Sequence, residues 1–180
     1  MHMMRLRLIV VVVVFAWLAA APLAAAAAGG HATPEEVVAK VRQAAAMLAK
    51  DGEAGLPAFR GPASAYVWKD SYVFVSDCGQ GVILAHPYQP KREGQPIAAG
   101  PTYDGVTAAE RQKAQCETAA RPDGGWWEYR FPKPGAALPM RKVSYLLAVP
   151  GRSWIVGAGV YDATTPLSRL EAVSNAKSPD

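Results

Sequence analysis

Lys142, His86 and a set of aromatic residues at alternating positions are where this chain could do chemistry. On a strand, successive side chains point to opposite faces, so alternation sorts them. In Trp126-Trp127-Glu128-Tyr129-Arg130-Phe131, the residues Trp127, Tyr129 and Phe131 share one face. In the run that follows, Lys142, Ser144 and Leu146 share a face opposite Val143, Tyr145 and Leu147. Val82, Leu84 and His86 point together in an earlier run. An ammonium and an imidazole set among tyrosine and tryptophan walls would suit a small polar or anionic molecule. Plainer readings stand beside this one. The aromatic residues could be ordinary core. Lys142, next to Arg141, could be a solvated strand-end charge. His86 could hydrogen-bond the loop that starts at Pro87.

The motifs of catalysis are absent from the sequence. There is no Gly-rich phosphate loop, nucleophile elbow or metalloprotease pattern, and no Cys-x-x-Cys-His for haem attachment. His2 and His31 lie near the N-terminus, which leaves His86 as the one usable histidine. One histidine cannot build a His-based metal site. A triad would pair His86 with Ser76 or Ser144, and no spacing singles either out. The expectation is a non-enzyme with no cofactor and no metal.

The elements that must position these residues are legible. Thr33-Pro34-Glu35-Glu36 is a helix start: a capping hydroxyl, proline at the first helical position and a glutamate completing a capping box. Val37, Val41, Ala44, Ala45 and Leu48 then form an apolar stripe, and Asp51-Gly52 ends the helix. Tyr72-Val73-Phe74-Val75 and Val82 to His86 read as a hairpin across a turn at Asp77-Cys78-Gly79-Gln80-Gly81. Residues 88–104 form a long Pro- and Gly-rich loop, and Val106 to Ala119 a short helix capped by Thr107. Strands follow at 126–131, at about 142–148 and at 154–161, and a short helix with a loose tail after Thr164. This layout predicts an α+β fold, a long helix packed on a five-stranded antiparallel sheet. The 88–104 loop and the helix after it would cover the other sheet face.

Length and composition bound the rest. The chain has 180 residues, 51% of them hydrophobic, a formal net charge of +4 and two cysteines. The opening residues distort these figures. Arg5 and Arg7 precede an uncharged run from Leu8 to Ala28 that ends in small residues, the pattern of a secretory signal peptide. Cleavage after Ala26 or Ala28 removes it and halves the net charge; a retained membrane anchor is the competing reading. Neither the remaining charge nor any Lys/Arg stripe supports nucleic-acid binding. Cys78 and Cys116 in an exported chain read as one disulfide. The rival two-cysteine metal site lacks ligands. The expected location is periplasmic or secreted.

In this order, the Tyr72–Val75 block, Gly81-Val82-Ile83-Leu84-Ala85-His86-Pro87, Asp104-Gly105, Gly125-Trp126-Trp127-Glu128-Tyr129, Lys142-Val143-Ser144-Tyr145 and Gly157-Ala158-Gly159-Val160-Tyr161 resemble the single Cache domain. That family comprises extracytoplasmic small-molecule sensors of bacterial chemoreceptors and histidine kinases. The resemblance implies a PAS-like sheet with a long N-terminal helix, a domain over 29–163 after a 1–28 signal peptide, and a 164–180 tail. It implies a short carboxylate ligand, or in one branch urea. The ligand residues it implies are Tyr129, Lys142, His86 and Tyr72 or Phe74; Trp127 and Tyr145, from the same strands, complete the candidate set. It places Cys78 and Cys116 on one side, where a bond would tie the cover to the sheet. The chain would then be a stand-alone sensor without an output module, with a membrane receptor or a second copy as partner. A structural or protein-interaction module, its pocket filled by Trp127, Phe131 and Tyr145, is the alternative.

Overall fold

The computed structural model describes residues 30–99, 105–162 and 164–176. The 1–28 segment read as a signal peptide lies outside the described residues, as does Asp104. The first helix, α1 (Pro34–Asp51), starts as its sequence dictates. The Thr33 hydroxyl accepts from the Glu36 N–H, and the Glu36 carboxylate accepts from the Thr33 N–H. Two otherwise unpaired donors are thereby satisfied. The predicted stripe is buried, joined by Val38. Gly52 stops the helix at φ 59°, a conformation that other residues resist. An unforeseen 3-10 segment, Gly52–Phe59, then carries Leu56 and Phe59 into the core.

Seven strands follow: β1 (Val67–Trp68), β2 (Ser71–Tyr72), β3 (Phe74–Asp77), β4 (Val82–Ala85), β5 (Gly125–Pro132), β6 (Pro139–Ala148) and β7 (Trp154–Val160). Between β4 and β5 lies α2 (Ala108–Ala119), and after β7 comes α3 (Leu167–Asn175). The main sheet is antiparallel throughout, in the order β4-β3-β7-β6-β5. The last strand thus lies between β3 and β6. The expected strand 72–75 is split at Val73, whose N–H donates to the Tyr66 carbonyl at 2.9 Å. Ser71 and Tyr72 therefore pair with β1, outside the main sheet.

The two sheet faces differ. Val75, Trp126, Val143, Tyr145, Val156, Ala158 and Val160 pack with the α1 stripe in one large core. Tyr72, Phe74, Leu146, Ile155 and Ala119 of α2 form a smaller cluster on the other side. An exposed edge at β4 would leave backbone groups unpaired. The loop after it closes that edge: Gly94 N–H donates to Ile83 at 2.8 Å, Ile83 N–H to Gln95 at 3.0 Å and Ile97 N–H to Gly81 at 2.8 Å. The C-terminal helix docks through the fully buried Leu170, and Arg42 of α1 donates to the Ser174 carbonyl at 2.7 Å. Cys78 and Cys116 form a disulfide, Cα to Cα 5.9 Å. It joins the turn between β3 and β4 to α2. The Asp77 carboxylate shapes that turn by accepting from the Gly79 N–H and the Ser153 hydroxyl. Among the described residues, no helix is long and apolar enough to cross a membrane.

Candidate functional site

Alternation puts Lys142 on the sheet face turned away from α1, and α2 with the 88–99 loop covers that face. Between sheet and cover lies a cavity of ≈ 50 Å3. That exceeds the roughly 10–15 Å3 a cavity needs to hold one water, so it is open to a small guest. Tyr72 lines it from β2, Phe74 from β3, His86 from just beyond β4, and Tyr129, Phe131 and Lys142 from β5 and β6. The cover contributes Arg92, Ile97, Arg111 and Gln115.

Lys142 is the most unusual of these. It is 1% exposed, and among the described residues no carboxylate pairs with it. Its ammonium sits 4.2 Å from the centre of the Tyr72 ring, 5.1 Å from Tyr161, 5.3 Å from Phe131 and 5.6 Å from Phe74. Aromatic faces attract a cation, but they do not replace its lost hydration. Burial accordingly pulls the Lys142 pKa down to about 7.

His86 is buried and neutral. Its Nδ1 accepts from the backbone N–H of Tyr88 and of Gln89, both at 3.2 Å. Two donors at Nδ1 place the ring hydrogen on Nε2, which makes His86 a fixed donor. Burial, then the Lys142 and Arg92 charges, lower its pKa to about 3. Tyr129 is held by its hydroxyl's 3.1 Å contact with the Ser144 hydroxyl, and burial raises its pKa to about 12. Burial likewise raises Tyr72 and Tyr161, so all three stay protonated. The lining therefore carries Lys142, Arg92 and Arg111 and, among the described residues, no carboxylate. That arrangement can neutralise and hydrogen-bond a small anion while excluding water.

The structure brings together Tyr72, Phe74, His86, Tyr129 and Lys142. Trp127 is on the correct face but stands behind the cavity, stacked on Tyr129 at 4.5 Å. Tyr145 does not reach the cavity. The same alternation that sends Lys142 inward turns Tyr145 to the α1 side, against Trp126 at 5.5 Å. The filling by Trp127, Phe131 and Tyr145 that a collapsed pocket requires does not occur.

Arg92, Arg111, Gln115, Ser76, Ile83 and Ile97 were not foreseen as lining residues. Arg111 and Gln115 had a signal: with Thr118 and Ala119 they form the buried face of α2 at helical spacing. Arg92 had none, because its loop has no period. Its guanidinium donates to the Ile97 carbonyl at 3.2 Å, which folds the loop inward.

A Cache domain family model, dCache_2, matches residues 63–165. The methyl-accepting chemotaxis protein McpP of Pseudomonas putida is 37% identical over 92 residues, 51% of this chain and 16% of that protein. The sensor histidine kinase MctS of Rhizobium johnstonii is 31% identical over 93 residues, 52% of this chain and 19% of that protein. The chain thus spans less than a fifth of either relative. A solved Cache chemosensory domain, described for its carboxylic acid recognition, is 28% identical with a TM-score of 0.54, covering 71% of this chain and 92% of its own. A Vibrio parahaemolyticus methyl-accepting chemotaxis protein shares the fold at 19% identity and TM-score 0.57, over 71% of this chain and 86% of its own. The family model covers more than half of the chain, and the α+β architecture is shared with solved Cache domains: the chain belongs to the Cache domain family of sensor domains.

Proposed function

We propose that this chain binds a short monocarboxylate in the Lys142 cavity as an extracytoplasmic sensor domain. The observation that carries the reading is a small cavity lined by Lys142, Arg92 and Arg111 with no carboxylate among the described residues. The carboxylate would meet the Lys142 ammonium and the His86 Nε2–H, and its short carbon chain would lie against Phe74 and Phe131. The described carboxylic acid recognition of a Cache domain 28% identical to this chain supports the ligand class. Export is supported by the basic-then-apolar N-terminal pattern and by the disulfide, which persists in oxidising compartments.

Calorimetry and thermal melting with acetate, propionate, pyruvate and urea test the ligand class. One of the acids at 100 times its dissociation constant should add about 2.7 kcal/mol to stability. Urea, with no charge for Lys142 to meet, should not bind. Absence of any response to all three acids would sink the proposal.

A further inference from the structure

The strand under the cavity, β7, presents almost no side chain to it. Trp154, Val156, Ala158 and Val160 face α1. The cavity-side positions that follow Ile155 are Gly157 and Gly159. Neither glycine has the positive φ that would explain the residue choice through the backbone. Space explains it instead. A Cβ on Gly157 would stand 2.5 Å from Phe74 Cζ and 2.5 Å from Leu146 Cδ2. A Cβ on Gly159 would stand 2.5 Å from Ser144 Oγ, 2.8 Å from Lys142 Cε and 2.8 Å from the Val143 carbonyl oxygen.

These contacts show what β7 supports. β3 and β6 flank it. Phe74 leans across from β3 and Lys142 from β6, and the ammonium lies 5.6 Å from the Phe74 ring. Both lie flat only because the strand beneath is bare. Lys142 is buried, unpaired with any described carboxylate and aimed into the cavity, so this floor belongs to a binding site.

We propose that the two glycines divide specificity between them. Gly157 sets the longest carbon chain the site accepts, by letting Phe74 lie down. Gly159 sets where the ammonium stands, by letting the Lys142 stem cross the sheet. This inference rests on the short-carboxylate reading. In Gly157→Ala both Phe74 Cζ and Leu146 Cδ2 must yield by about 1 Å to restore normal contact; Leu146 is fully buried, whereas the Phe74 ring borders the ≈ 50 Å3 cavity and lifts into it. Longer acids are then lost before shorter ones. In Gly159→Ala the new methyl meets the Ser144 hydroxyl at 2.5 Å and the Lys142 stem at 2.8 Å, so both side chains are displaced, the Ser144–Tyr129 contact with them, and all carboxylates weaken together.

The test is titration calorimetry of wild type, Gly157→Ala, Gly159→Ala and Phe74→Leu with formate, acetate, propionate and butyrate, on protein whose folding is checked by circular dichroism. Gly157→Ala should raise the acetate-to-propionate preference at least tenfold. Gly159→Ala should weaken every bound acid by a similar factor. Phe74→Leu shortens the ring at the same spot and should extend binding to butyrate, so the chain-length claim survives even a misfolded Gly157→Ala. Unchanged preferences in folded Gly157→Ala, or an unchanged range in Phe74→Leu, overturn the inference while leaving the carboxylate site intact. Wild type that binds none of the acids overturns the carboxylate reading, and this inference with it.

Discussion

Lys142 holds its ammonium among aromatic rings, and the energetic penalty of that placement determines its pH behaviour. Its folded pKa of about 7 lies below the unfolded value near 10.5. The unfolded chain therefore binds more protons between those values, and stability rises with pH across that window. The destabilisation is fully present below pH 7 and amounts to roughly 5 kcal/mol at 1.36 kcal/mol per unit. Denaturant midpoints of wild type and Lys142→Met between pH 7 and 9.5 check this. The wild type should gain on the variant as pH rises, and parallel curves would defeat the claim. Ligand affinity should run the other way. An anion selects the protonated amine, so the apparent affinity should fall about tenfold per pH unit above 7. The facing titratable groups do not interfere: His86 is neutral above about pH 3, and burial keeps Tyr72, Tyr129 and Tyr161 protonated. Lys142→Met should abolish carboxylate binding and stabilise the empty protein, since removing a buried unpaired charge relieves its desolvation.

At the scale of elements, α2 and the loop before it make the cavity a cavity. The Cys78–Cys116 bond anchors α2 to the β3–β4 turn, and α2 carries Arg111 and Gln115 inward. Closing a loop of 38 residues' separation constrains the unfolded chain, worth roughly 3–4 kcal/mol. A Cys78→Ser/Cys116→Ser double variant should lose about that much in denaturant unfolding and bind its ligand more weakly. Unchanged affinity would mean that α2 is held by its packing on β5 and β6 alone. The capping box of α1 is a smaller element-scale contribution. Thr33→Ala should cost about 1 kcal/mol with no effect on affinity, because Thr33 does not line the cavity.

At the scale of the molecule, the sheet separates two tasks. The α1 face carries the large core, and the α2 face carries the small cluster and the cavity. Tyr161, one residue beyond β7, ties the end of that strand to β5 and β6. Its ring lies 5.1 Å from the Lys142 ammonium, and its hydroxyl donates to the Pro132 carbonyl at 3.0 Å. The expected export adds a whole-chain prediction. Expression of the full sequence in a Gram-negative host should yield periplasmic protein that begins after Ala26 or Ala28 and has no free thiol. Intact-mass measurement on denatured, unreduced material checks both. A retained Leu8–Ala28 run would support the anchor reading instead.

Local chemistry determined much of this protein in advance. Capping residues, apolar spacing and turn residues act within a few positions, so α1, α2, the hairpin and the three long strands could be read from the chain. Alternation put Lys142 and Tyr145 on opposite faces of one strand; that Tyr129 shares the Lys142 face was implied by the family resemblance and is decided by the β5–β6 register, which sets Tyr129 opposite Lys142. The order β4-β3-β7-β6-β5 was decided only in three dimensions, because it depends on packing between segments far apart in sequence. The same packing brings Arg92, from a loop without periodicity, over the sheet. It also gives Gly157 and Gly159 their role. Their bareness matters only because Phe74 and Lys142, from strands on either side, come to lie on them.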